Sequence, residues 1–178
     1  MPPVPLRPGG RLRAGKNWGR ITGSVANVCS DPNFSLPEFS PANEKTHIVI
    51  DTNIVLDLLV FKDPATASLQ HALDTNQLNW LATPPMRDEL ARVLTYPQIV
   101  ARLVFYKLLA DEVLTAFDNH AHIVAIAPKA SVTCSDADDQ KFIDLAVTYK
   151  AMLLSKDKAV ISMAKRLLAL EVRAQPAI

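Results

Sequence analysis

Acidic side chains that directly follow short apolar runs are the first candidates for chemistry in this sequence. Asp51 follows Ile48, Val49 and Ile50, and Asp157 follows the apolar stretch Ala151–Leu154. Asp136, Asp138 and Asp139 crowd together downstream of the run His122–Ile126. Taken singly, each reads best as a helix cap, because a carboxylate accepts backbone N–H bonds and favours the positive end of a helix dipole. Taken together they raise a different possibility. Several carboxylates converging on one cleft raise one another's pKa unless a cation neutralises them. With no His or Cys beside them, an all-oxygen set suits a hard divalent ion, Mg2+ or Mn2+, with waters completing its coordination. Such an ion activates water and stabilises the leaving oxygen in phosphodiester cleavage, so the chemistry indicated is metal-dependent hydrolysis of a polyanion.

Glu89 adds a further acid. On a helix starting at Pro84, Met86, Leu90, Val93 and Leu94 form the apolar stripe, with Glu89 at its border and Asp88 on the opposite face. Asp88 is a surface residue with Arg92 as its i,i+4 neighbour. For Glu89 a ligand role and a pairing with Arg87 or solvent are evenly balanced. Asp139 shares a face with Phe142, Ile143 and Ala146, whereas Asp144 points away from it, so Asp139 leans inward at a helix start.

The elements that must position these acids follow from apolar periodicity. Ile48–Ile50 predicts a strand, and Ile54, Val55, Leu58 and Leu59 then recur at helical spacing. Asp63 with Pro64 is an N-cap followed by proline at the first helical position, which predicts a helix to about Thr75. Strand Asn79–Ala82, a helix from Pro84 to about Leu94, and one or two helices over Pro97–Phe117 follow. Then come strand His122–Ile126, helix Asp138–Tyr149, strand Ala151–Leu154, helix Lys158–Leu168 and a last strand at Glu171–Arg173. Alternating strands and helices predict an α/β fold with a mostly parallel sheet covered on both faces. In such sheets ligands bind beyond the carboxyl ends of the strands, where these acids lie.

Composition narrows the alternatives. The 178 residues, 49% hydrophobic and 21% charged, suit one globular domain able to bury a core. All five glycines fall in the first 23 residues, so neither a P-loop nor a dinucleotide-binding fingerprint is available in the body of the chain. Residues 1–45 hold seven of the 13 prolines and carry a net charge of plus three, which predicts an irregular, disordered extension; the remaining 46–178 carry minus two. No apolar run approaches the roughly 20 residues of a membrane span, and no signal-peptide core is present. Cys29 and Cys134 are too few for a disulfide framework or a four-ligand zinc site, which fits a reducing, cytoplasmic setting. Neither Cys134 nor any of His47, His71, His120 and His122 has a partner at ligand spacing, so these read as packing or surface residues. Ile99–Leu109 reads equally as core or as a homodimer surface.

Four segments also carry a family resemblance: Ile48–Leu59 (IVIDTNIVLDLL), Arg87–Leu94 (RDELARVL), Asp136–Ala146 (DADDQKFIDLA) and Leu154–Asp157 (LSKD). In order and spacing they resemble the PIN-domain ribonucleases, most closely the VapC-like toxin components of bacterial toxin-antitoxin systems. Each motif alone is weak; four in order, covering 46 to about 170, are specific. The resemblance implies a three-layer α/β/α sandwich with one acidic pocket binding Mg2+ or Mn2+. It implies that Asp51, Glu89, Asp139 and Asp157 are the catalytic, metal-binding acids, with Asp136 as an additional metal-binding candidate. Thr52, Asn53 and Ser155 match polar positions beside the pocket, with Asn53 orienting a metal-bound water or phosphate. It implies an RNA substrate and a small antitoxin protein as partner. The extension departs from this group, whose members begin close to the first strand, and reads either as a wrongly assigned start or as an added RNA-contacting arm. Two other functions share these residues: a housekeeping nuclease for RNA processing or structured DNA, and a catalytically silent binding module. A neighbouring antitoxin gene separates the first from a toxin, and a missing Mn2+ response would mark the second.

Overall fold

In the computed structural model, the structure describes residues 45–177. The extension expected at 1–45, apart from Lys45, lies outside the described residues. Five strands form one all-parallel sheet: β1 (Thr46–Ile50), β2 (Leu78–Ala82), β3 (Ala121–Ile123), β4 (Met152–Leu154) and β5 (Ala174–Gln175), in the order β3-β2-β1-β4-β5. The central position of β1 explains its composition. Ile48, Val49 and Ile50 are each at most 3% exposed, as a strand covered on both faces requires. The α/β sandwich expected from the sequence is the fold observed.

The helices are α1 (Thr52–Leu56), α2 (Ala67–Asp74), α3 (Pro84–Val93), α4 (Pro97–Tyr106), α5 (Ala110–His120), α6 (Gln140–Tyr149), α7 (Lys158–Ile161) and α8 (Ala164–Leu168). Proline opens α3 and α4, where a missing N–H costs nothing. The core is continuous across the sheet. Trp80 of β2 meets Phe117 of α5 edge to face at 4.9 Å, and Phe142, Ile143, Leu145 and Ala146 bury the inner face of α6. Among the described residues no helix is long and apolar enough to cross a membrane.

Three boundaries differ from the periodicity reading. The last strand is Ala174–Gln175 rather than Glu171–Arg173, because Glu171 takes a left-handed backbone (φ 62°) that ends the preceding helical turn. Pairing begins where Leu153 N–H donates to the Arg173 carbonyl at 2.9 Å. The helix expected over Lys158–Leu168 is split into α7 and α8 at Ser162–Met163. The third strand stops at Ile123, and Ile126, expected inside it, is exposed beyond the sheet edge. The stretch Ile99–Leu109 is not wholly core: Leu103 is buried, whereas Val104, Phe105 and Leu109 are exposed.

Candidate active site

The sheet order reverses around β1, since β2 and β3 lie on one side of it and β4 and β5 on the other. A crevice forms outside the carboxyl ends of neighbouring strands whose connections leave in opposite directions, here β1 and β4. The register brings their ends level. Ile50 pairs with Leu154, and Asp51 N–H donates to the Leu154 carbonyl at 2.9 Å. Asp51 and Ser155, 104 positions apart in sequence, therefore meet as the next residues along each strand.

Asp51 is 2% exposed, and Ser155 Oγ donates to its Oδ2 at 2.6 Å. Burial raises the Asp51 pKa above the ordinary carboxylate range; the Ser155 bond and the N–H groups of Thr52 and Asn53 oppose that rise, and nearby Glu89 adds to it. Ser155 Oγ also accepts from Asp157 N–H at 3.0 Å, so one hydroxyl links two of the acids. Asp157 itself caps α7, accepting from Ala159 N–H at 2.6 Å. The capping reading thus holds for Asp157 but not for Asp51 or Asp139, neither of which has a side-chain cap bond.

Glu89 reaches the same region from α3. Its Oε1 accepts from Thr52 Oγ1 at 2.9 Å, and its Oε2 is paired with Lys141 of α6. Arg87, the partner the sequence offered for Glu89, instead holds Asp118 through two bonds of 2.7 Å. Asp88 is exposed, as expected for a residue on the outer face.

Asp139 is the most perturbed acid. Its carboxyl is pushed up to about 7, first by burial and then by the charges of Asp51, Asp157 and Asp136, with Lys141 partly opposing. Its Oδ2 is buried without a hydrogen-bond partner. Asp136 is exposed, and its Oδ1 accepts from Asp138 N–H at 2.9 Å in the loop leading to α6. Asn53 is exposed on the first turn of α1.

The structure thus gathers Asp51, Glu89, Asp139 and Asp157 at one crevice, with Thr52 bonded to Glu89, Ser155 bonded to Asp51 and Asp157, and Asp136 at its edge. As the side chains stand, no three His, Cys, Asp or Glu groups among the described residues close around one point. Glu89 is turned to Thr52 and Lys141, and Asp157 to the α7 backbone. The donor set is nonetheless all oxygen, and the orphaned Asp139 Oδ2 among other carboxylates is the kind of atom a hard cation satisfies. The chemistry of this donor set fits a hard divalent cation.

Several supporting residues escaped the sequence reading. Lys156 pairs with Asp57 at 2.5 Å, tying the loop that carries Ser155 and Asp157 to the π-helical turn Asp57–Phe61 after α1. Its pKa is raised, chiefly by that bond. Asp144 does point away from the site, but it is half-buried and accepts from Ala130 N–H at 2.8 Å and Gln140 Nε2 at 2.6 Å. Gln140 in turn accepts from Cys134 N–H at 2.7 Å. Together they anchor the loop that delivers Asp136 and Asp139. The only sequence signal was their place in the segment Asp136–Ala146 and its flanks.

Comparison with known proteins agrees with this fold. The uncharacterized protein MJ1680 of Methanocaldococcus jannaschii is 27% identical over 124 residues, covering 67% of this chain and 76% of that protein. Among solved structures, a chain of VapBC2 from Rickettsia felis, crystallised with a DNA fragment from their promoter, superposes with a TM-score of 0.51 at 13% identity. That match covers 72% of this chain and 98% of the other, and shows a shared fold. The sequence profile of the PIN domain matches residues 47–159, from the first strand through the start of α7 and across every acid of the crevice. The chain belongs to the PIN-domain family.

Proposed function

We propose that this PIN-domain protein is a metal-dependent endoribonuclease, the toxin of a toxin-antitoxin pair, acting on RNA in the cytoplasm. Membership of a nuclease family supports phosphodiester hydrolysis, and the likeness of four motifs to the VapC-like group supports RNA as substrate. The Rickettsia felis structure is of VapBC2 on promoter DNA, and a small antitoxin protein as partner is part of the same reading.

The observation that carries the proposal is the Asp139 carboxyl, held near 7 with one oxygen buried and unpaired beside Asp51, Asp157 and Asp136. A strained acidic cluster of this kind is stabilised by a cation more directly than by a proton. Asp51, Glu89, Asp136, Asp139 and Asp157 would hold Mg2+ or Mn2+, which supplies an activated water and stabilises the leaving oxygen. The chain's own polar groups prepare that site. Ser155 holds the Asp51 carboxylate in place, Thr52 holds Glu89, and exposed Asn53 offers an amide to orient water or a phosphate oxygen.

The test is cleavage of mixed RNA and DNA substrates with Mn2+. The wild type should cut RNA, and Asp51→Asn, which keeps the shape but removes a charge, should not. Full activity of Asp51→Asn, or of the wild type in excess chelator, overturns the reading.

A further inference from the structure

We infer that Lys141 is a resident counter-cation of the acidic site, paired with Glu89, and that it gives up this pair when a divalent ion brings a second positive charge to the same carboxylate. The inference rests on the metal-binding reading above. Among the described residues, Lys141 is the one cation in an ion pair with any of Asp51, Glu89, Asp136, Asp139 and Asp157. It comes from α6, two positions after Asp139, and crosses to α3 to reach Glu89.

Both oxygens of Glu89 are engaged, Oε1 by the Thr52 hydroxyl and Oε2 by the Lys141 ammonium. Each oxygen keeps a second lone pair for an incoming ion, so what sets the outcome is charge rather than a lack of sites. An ammonium has three donors and no lone pair, so it cannot become a ligand itself. Displacing Thr52 would leave two cations sharing one carboxylate, whereas displacing Lys141 removes the repulsion. The pair is also accessible enough to open: the Lys141 and Glu89 side chains are 24% and 17% exposed. Release does not strand the ammonium. The pair lines a cavity of about 330 Å3 bounded by Pro85, Asp88, Arg92 and Asp138, which gives Lys141 room to move toward solvent. Its remaining contacts, the Asp138 carbonyl and the Phe142 ring 4.7 Å away, are on its own segment and do not depend on Glu89. Lys141 therefore acts as a competitor that tunes metal affinity, in exchange for keeping the carboxylate compensated while no ion is present.

The experiment is calorimetric titration of Mn2+ into the full-length wild type, Lys141→Met, Lys141→Gln and Lys141→Arg, with melting curves in chelator to verify folding. Removing the competing charge should tighten Mn2+ binding about two- to fivefold in the Met and Gln proteins, the range expected from losing one partly exposed ion pair. The Arg protein should bind like the wild type. Lys141→Gln keeps a polar end should Lys141→Met fold poorly. Equal or weaker Mn2+ binding in the folded Met or Gln proteins overturns the inference while leaving the metal site intact. No Mn2+ binding by the wild type overturns the metal reading and this inference with it.

Discussion

At the scale of single residues, Asp157 caps a helix whereas buried Asp51 and Asp139 do not, and pH exposes the difference. With a carboxyl pushed up from 3.8 to about 7, native Asp139 keeps a proton that the unfolded chain has lost. Its contribution to stability is fully present below the ordinary carboxylate range and disappears as pH rises through about 7. Raised Asp51 acts in the same direction. Melting temperatures in chelator should therefore fall between about pH 4 and pH 7 and level off above, and saturating Mn2+, by replacing the proton, should remove that slope. Circular dichroism melts of the wild type and Asp139→Asn decide this, since the substituted protein should show a shallower slope without metal. Glu89→Gln should weaken Mn2+ binding yet change metal-free stability by less than about 1 kcal/mol, because it removes an ion pair with Lys141 along with a like charge among the acids. Exposed Asp88→Asn should change neither, as the same melts and titrations will show. The acids were legible because each follows a strand or borders an apolar stripe, positions that sequence periodicity reveals. Lys141 and Lys156 were not, because their long side chains find partners on elements distant in sequence, Lys156 reaching Asp57 across 99 positions.

At the scale of elements, helix ends and loop anchors carry the weight. No glycine follows residue 23, so left-handed helix ends fall to Lys62, Lys107 and Lys150. A residue with a Cβ pays for that conformation, and glycine does not. Lys107→Gly, at an exposed end of α4 far from the acids in sequence, should stabilise the fold by roughly 0.5–1 kcal/mol in urea titrations. The loop before α6 is held from the other side. Asp144→Ala breaks bonds to Ala130 and Gln140 and should cost roughly 1–3 kcal/mol, weakening Mn2+ binding although Asp144 touches no ion. Asp144→Asn, which retains an acceptor, should lose less. Helix positions were readable from stripes and prolines, but the ends were not. The break at Ser162–Met163 and the displaced last strand are set by packing and by a left-handed residue, and neither leaves an apolar pattern.

At the scale of the whole molecule, a parallel sheet with β1 at its centre explains why segments far apart in sequence come together: the reversal of strand order sets the ends of β1 and β4 side by side. Every described strand and helix lies between Thr46 and Gln175. A chain starting near Glu44 should therefore melt like the full chain and bind Mn2+ equally, while losing RNA affinity at low salt only, because five early basic residues add salt-sensitive attraction to phosphates. Unfolding on truncation would show that the extension covers part of the domain. Anomalous scattering from crystals grown with Mn2+ would locate the divalent ion proposed to sit among the acids between β1 and β4. A manganese peak beside the Asp51 and Asp139 carboxylates, lost in Asp51→Asn, is the result expected; a well-ordered crevice without manganese, in a protein that still cleaves RNA, would contradict it.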